Sequence, residues 1–208
     1  MTIVEMKKMS KSFPEKTLFH DFDLKIEEHH IVAIVGQSGC GKSTLLNIIG
    51  GLESYESGEV CVFGRNLREY SAKEKRELYK NKIAFLFQNY ALIEDETVRE
   101  NLLIPIRHKN KAQQQADIED VLKTVGLLET IDKKVYSLSG GEQQRIALAR
   151  VLLKSCDLIL ADEPTGNLDP DNKKIIFDIL KKLKEEKTIL IVTHDLSLAS
   201  ECDDIIEL

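Results

Sequence analysis

The nine residues Gly36-Gln37-Ser38-Gly39-Cys40-Gly41-Lys42-Ser43-Thr44 constrain this chain more than any other stretch. They follow a short apolar run, Ile31-Val32-Ala33-Ile34-Val35, and precede a segment that reads as a helix, Leu45 to Ile49. Strand, glycine-rich turn, Lys-Ser/Thr and helix are the parts of a phosphate cradle. The glycines let the backbone curl so that successive N–H groups point at one anion. The helix adds the partial positive charge of its N-terminus, roughly half an elementary charge. Lys42 would reach the β- and γ-phosphates, and the Ser43 hydroxyl would be a ligand for Mg²⁺. A glycine-rich turn that merely joins a strand to a helix would not need the full pattern in this context. The stretch predicts a nucleoside triphosphate site.

Around this loop, strands and helices alternate. Ile3 to Met9 and Leu18 to Ile26 read as half-buried strands, the second because Phe22, Leu24 and Ile26 alternate with Asp23 and Lys25. Ser12-Phe13-Pro14-Glu15-Lys16 between them is a turn by composition. Phe13, its one aromatic, reads from the residues alone as a hydrophobic plug under a hairpin as readily as anything functional. Glu59 to Phe63 is a further strand. Ser71-Ala72-Lys73-Glu74, Thr97-Val98-Arg99-Glu100 and Ser139-Gly140-Gly141-Glu142 have capping-box spacing. They predict helices running to about Lys80, to a stop at Pro105, and through Leu153.

Ile118, Val121, Leu122 and Val125 fall at helical spacing ahead of Gly126, a C-terminal cap. Ile83 to Phe87, Leu158 to Ala161 and Thr188 to Val192 read as buried strands, and Asp169-Pro170 opens a helix between the last two. Near-continuous apolar strands alternating with helices predict an α/β fold whose parallel sheet is covered on both faces. The region from about Asn89 to Lys154 has no strong strand and reads as a helical insertion.

Charge and cysteine usage exclude several classes. The formal net charge is −6 and no dense Lys/Arg run appears, which disfavours nucleic acid as a partner. Cys40, Cys61, Cys156 and Cys202 lie far apart without a C-x-x-C, so neither a zinc site nor a disulfide framework is expected. His20, His29, His30 and His108 have no partner at ligand spacing. Met1 to Ser10 lacks the apolar core of a signal peptide, and no apolar run approaches the roughly 20 residues that span a bilayer. A membrane role is expected to come through a partner.

In open parallel sheets, ligands bind at the carboxyl ends of the strands. The phosphate loop, Gln88, Asp162-Glu163 and His194 all stand directly after buried strands, and four such groups on one edge predict an active site. Asp162 would emerge near Ser43 and hold the Mg²⁺ shell. Glu163 would accept a proton from the attacking water or orient it. Gln88 could position that water or complete the metal shell. His194 could hydrogen-bond the γ-phosphate, although alone it would read as a strand-end histidine.

Leu138-Ser139-Gly140-Gly141-Glu142-Gln143-Gln144-Arg145 is physically a capped helix start with exposed backbone amides, a second anion site. In order with the phosphate loop, Gln88, Asp162-Glu163, Asn167-Leu168-Asp169 and His194, it resembles the ABC-type ATPases over essentially the whole chain. The resemblance implies a P-loop NTPase fold with a mainly parallel core sheet, an antiparallel β subdomain and an inserted helical subdomain. It implies one ATPase domain over 1–208, with 89–153 as the helical subdomain and 1–88 with 154–208 as core and β subdomain. It further implies a head-to-tail dimer, homomeric or pseudo-symmetric, with two ATP molecules between the subunits.

Within that resemblance, ATP would contact Phe13, Gly36, Gln37, Ser38, Gly39, Cys40, Gly41, Lys42, Ser43 and Thr44 of one subunit. Ser139, Gly140 and Gly141 of the other would meet the γ-phosphate, Phe13 would stack on adenine, and Asp169 would help link the two sites. Glu163 would be the catalytic base, His194 the switch, and Gln88 and Lys42 further catalytic groups, with Ser43, Gln88 and Asp162 around Mg²⁺.

Phe87-Gln88-Asn89, Thr97 to Leu102 and Ala161 to Asp169 are similar to the macrolide-exporter, lipoprotein-releasing and cell-division branch. This implies a transporter subunit at the cytoplasmic face of the cell membrane. It would energise a separate transmembrane permease docked between Gln88 and Pro105, exporting peptide, lipoprotein or drug. The alternative within the branch is an ATPase that transmits force in a signalling or division complex. Two features depart from the family's usual pattern. His29-His30 stands where Gly-Glu is usual, and, with Leu208 last, no C-terminal regulatory domain is expected.

Overall fold

The computed structural model describes residues 1–166 and 168–208, so Asn167 of the Asn167-Leu168-Asp169 motif lies outside the described residues. In chain order its elements begin with β1 (Thr2–Phe13), β2 (Lys16–Glu27), β3 (Ile31–Val35), α1 (Lys42–Ile49), β4 (Ser57–Val62), β5 (Arg65–Asn66), α2 (Ala72–Asn81) and β6 (Ile83–Leu86). There follow α3 (Val98–Leu103), α4 (Lys111–Thr124), α5 (Gly140–Leu152), β7 (Leu158–Asp162), α6 (Pro170–Leu183), β8 (Thr188–Val192), α7 (Leu196–Ala199) and β9 (Asp204–Glu207).

The uninterrupted apolar runs become a five-stranded parallel sheet in the order β6-β7-β8-β3-β9. Every residue of β3 and β8 is buried. Successive side chains still go to opposite faces. Leu158, Leu160, Leu190 and Val192 pack with α1 and the N-terminal strands, whereas Ile159, Ala161, Ile189 and Ile191 pack with α3 to α6. Both faces are dry, so the period-two pattern vanishes from the sequence.

A second, antiparallel sheet has the order β2-β1-β4-β5 and closes over α1. Several strand boundaries differ from the sequence reading. Phe13 pairs with Lys16, so the hairpin loop is Pro14-Glu15 alone rather than the whole segment from Ser12 to Lys16. Phe13 is 44% exposed at the hairpin tip and is no plug, since Met9 and Phe19 fill the core beneath. β4 stops at Val62 because Phe63 and Gly64 take φ of 53° and 74° to turn the chain into β5. β6 likewise ends at Leu86, one residue early. The short elements β5, α7 and β9 were not expected; none is long enough to set up a periodic signal.

The three capping boxes form with both reciprocal bonds, Ser71 with Glu74, Thr97 with Glu100 and Ser139 with Glu142. Among the described residues, 89–153 contributes α3, α4 and α5 and no strand to either sheet.

The phosphate-loop helix is seated by a close approach. Gly50 caps α1 at an ordinary φ of −73°, and a Cβ there would lie 2.4 Å from Cζ of Phe85 on β6. Since no backbone strain is involved, Gly50→Ala tests crowding alone. It should cost about 1–3 kcal/mol, as overpacking does, and lower the urea midpoint without changing the slope. An unchanged midpoint would show that the Phe85 ring moves aside freely.

Candidate active site

The loop after β3 is shaped by glycines at two critical places. Gly41 caps α1 in the left-handed region, φ 110°, and no side chain among the described residues makes a cap hydrogen bond there. Gly36, φ 153°, lies where a Cβ would come within 2.7 Å of the Leu208 carbonyl oxygen and 2.8 Å of Cys40 Sγ. The free amides and dipole of α1 therefore face the loop's concave side. Lys42 curls back so that Nζ donates to the carbonyls of Gly36 at 2.8 Å and Gln37 at 2.9 Å.

The two adjacent carboxylates have different surroundings. Ser43 Oγ donates to Asp162 Oδ1 at 3.0 Å, joining α1 to the end of β7. Burial pushes the Asp162 carboxyl above its ordinary range, with the Ser43 hydrogen bond opposing the shift and the charge of Glu163 adding to it. Glu163 adopts a left-handed φ of 47°, which a non-glycine residue holds only when its surroundings enforce it. Its N–H bonds the Val192 carbonyl at 2.9 Å, and its own carbonyl accepts from Gly166 N–H at 3.0 Å. The Glu163 side chain is 13% exposed, with Oε1 3.0 Å from Nδ1 of His194, itself 71% exposed. Glu163 Oε2 is buried without a hydrogen-bond partner among the described residues, leaving an acceptor beside the cleft.

These groups surround one cleft of about 580 Å³. Of the residues expected from sequence, Phe13, Ser38, Gly39, Gly41, Lys42, Ser43, Thr44, Gln88, Glu163 and His194 line it. Gly36, Gln37 and Asp162 stand behind that lining, reached through Lys42 and Ser43. Cys40 is not among the lining residues, and its thiol lies beside Gly36 and 4.0 Å from Lys42 Nζ. Lys11 Nζ sits 4.7 Å from the Phe13 ring centroid and covers one face of that ring.

Ser139, Gly140, Gly141 and Asp169 are not brought to this cleft. They gather where the N-termini of α5 and α6 meet. Ser139 Oγ accepts from Glu142 N–H, and the Glu142 carboxylate, held below its usual range by those bonds, accepts from Ser139 N–H at 2.8 Å. Asp169 caps α6 through Asn172 N–H at 3.0 Å, and a Cβ on Gly141 would lie 2.8 Å from Asn172 Nδ2.

Several participants carry no local sequence signal. Lys16 Nζ bonds the Gly39 carbonyl at 2.7 Å, tying the hairpin tip to the phosphate loop. Tyr90 and Ala91, just past Gln88, take left-handed φ of 62° and 49°, and the Arg150 guanidinium of α5 holds both their carbonyls. Asp195 caps α7 and receives Lys173 Nζ at 3.0 Å, fixing the segment that presents His194. Among the described residues, no cluster of three or more His, Cys, Asp or Glu could hold a metal ion by itself.

The family model described as ABC transporter matches residues 19–166. The macrolide export ATP-binding/permease protein MacB of Mannheimia succiniciproducens is 39% identical, over 100% of this chain and 33% of that protein. Its namesake from Psychrobacter arcticus is 38% identical, over 99% and 32%. The chain thus spans about a third of the curated relatives it matches. Among solved structures, the dimeric post-hydrolysis state of the ATP-binding cassette MJ0796, bound to ADP and Pi, superposes with a TM-score of 0.91 at 34% identity. That match covers 99% of this chain and 94% of the other. The cbiO1 protein of Clostridium perfringens, part of the ABC transporter complex cbiONQ, gives 0.87 at 25% identity, over 99% and 84%.

Asp195 makes the site's support testable by pH. Hydrogen bonds from Ser197 and then Lys173 hold its carboxyl below the usual range. A carboxyl depressed in the fold stabilises above its unfolded pKa, about 3.9, and that contribution is lost as pH falls through the folded value. Asp195→Ala should therefore lower stability by about 1–2 kcal/mol at pH 7, the usual cost of a lost cap. In urea titrations the gap from the unmodified protein should narrow between pH 4 and pH 2. An equal gap at both ends would mean that the ionised carboxylate contributes nothing.

Proposed function

The chain belongs to the ABC transporter family, and on that premise we propose that it is the Mg²⁺-dependent ATPase subunit of a membrane exporter. The observation that supports this best is the convergence of the phosphate loop, Gln88, Glu163 and His194 on one cleft. The loop amides and Lys42 bind the phosphates, and Lys42 exchanges the Gly36 and Gln37 carbonyls for phosphate oxygens. Phe13 stacks on adenine with the face that Lys11 leaves open.

Ser43 and Asp162 already point oxygens at each other, and with the Gln88 amide they form a hard-oxygen set of the kind Mg²⁺ prefers. Bound there, the ion would neutralise charge on the phosphates. It would also relieve the burial penalty on the Asp162 carboxylate. Glu163 uses its unpartnered Oε2 to accept a proton from water, while His194 leaves Oε1 to hydrogen-bond the γ-phosphate.

Ser139, Gly140 and Gly141 lie off the cleft and serve the ATP of a second subunit, with Asp169 beside them linking the sites. The dimer, homomeric or pseudo-symmetric, encloses two ATP molecules, and hydrolysis releases it. Residues 89–153 act as a helical subdomain within the ATPase domain, and the segment from Gln88 to Pro105 docks the permease. The relatives named for macrolide export support the choice of an exporter of peptide, lipoprotein or drug. No helix among the described residues is long and apolar enough to cross a membrane. The subunit would sit at the cytoplasmic face of the cell membrane through its permease.

Glu163→Gln should retain ATP binding, lose turnover by about 10²–10⁴-fold as expected for a general base, and elute as a dimer with ATP in gel filtration. Full turnover would remove Glu163 from the base role. Lys42→Ala should lose ATP binding or turnover, measured by fluorescent-nucleotide titration and phosphate release. Unchanged values in both would rule out the loop as the phosphate site.

A further inference from the structure

Gln144 lies one turn into α5 and is 1% exposed. Its Nε2 donates to the Pro164 carbonyl at 2.7 Å, while its Oε1 is buried with no partner among the described residues. A half-paired buried amide destabilises a fold relative to an apolar side chain of the same length. Its neighbour gives that penalty a use. Pro164 directly follows Glu163, whose left-handed turn is pinned on one side by Val192 and closed by Gly166. Gln144 grips the carbonyl next along this turn.

We propose that Gln144 is a positioning residue for Glu163, fixing through Pro164 the turn that aims the carboxylate into the cleft. This rests on the reading of Glu163 as the base. The same helix begins at Ser139-Gly140-Gly141, which that reading places on the partner subunit's ATP. Gly141 also lies close to Asn172 at the start of α6, where a Cβ on Gly141 would come within 2.8 Å of Asn172 Nδ2.

Gln144→Met keeps length and burial and removes the donor. The expected result is a thermal midpoint no lower than that of the unmodified protein, ATP affinity within twofold, and turnover at saturating ATP reduced at least tenfold. A purely structural tie predicts the reverse, a lowered midpoint with turnover per folded molecule unchanged. Gln144→Glu supplies an independent readout, because its side chain donates to Pro164 only when protonated. Its turnover relative to the unmodified protein should recover as pH falls from 9 to 6, and a flat ratio would overturn the proposal. Glu163→Gln, assayed alongside, separates the two readings. If it turns over fully, the base assignment falls and this inference with it. If it stalls while Gln144→Met stays within twofold of unmodified turnover, only the role of Gln144 is lost.

Discussion

Parallel pairing of β6, β7, β8 and β3 is the constraint on which the rest of the molecule depends. Parallel strands all end on the same edge, so whatever follows each one must share that edge. The loop after Val35, Gln88 after β6, Glu163 after β7 and His194 after β8 are brought together from 159 residues of chain by this rule alone. The ladder is also registered closely enough to set distances: Asp162 pairs with Val192, and the Glu163 N–H bonds the Val192 carbonyl. Glu163 and His194 are thereby placed within reach of each other before any side-chain interaction is counted.

The dry interior that fixes the sheet also sets the electrostatics at its edge. Asp162 ends a strand whose preceding four residues are fully buried, so its carboxylate is poorly solvated, and the Ser43 hydroxyl only partly compensates. Glu163, one residue on, has a buried oxygen without a donor among the described residues. Two carboxylates at the border of an apolar core are unfavourable in themselves. In the proposed reaction they would become useful, a cation and a water molecule supplying what the protein withholds.

Much of this was legible in the sequence because the signals are local. A capping box needs only Ser139 and Glu142, three residues apart, and a strand buried on both faces needs only a run such as Ile31 to Val35. The polar residues after such runs could be read as one edge without knowing the order of the strands. What stayed hidden depends on chain neighbours far apart. Arg150 reaches back about 60 residues to the carbonyls of Tyr90 and Ala91. Gln144 finds Pro164 20 residues on. Phe13 needed its strand partner Lys16 to show that the hairpin tip is tight and the ring exposed. Cys40 sits in a motif whose backbone makes the site, so its position in the sequence could not say which way the thiol turns. β9 and α7 are four residues each, below the length at which a pattern means anything.

The separation of the Ser139–Gly141 segment from the cleft bears most on how the molecule works. Within one chain, the phosphate loop offers a helix N-terminus at Gly41 with no side-chain cap among the described residues, whereas α5 begins with Ser139 already engaged by Glu142. Both ends present amides and positive dipole, yet they face different surroundings, and one phosphate cannot lie against the two of them in the same subunit. In the proposed dimer, a second copy would resolve this by turning each α5 toward the other's loop. The Glu142 carboxylate, which accepts from the Ser139 hydroxyl at 2.8 Å, then competes with any phosphate for that proton. In that proposed dimer, closure onto ATP would replace this bond, and only to the extent that phosphate is the better acceptor. An interface balanced in that way would be strong enough to close and weak enough to reopen after hydrolysis, when the charge it grips has left.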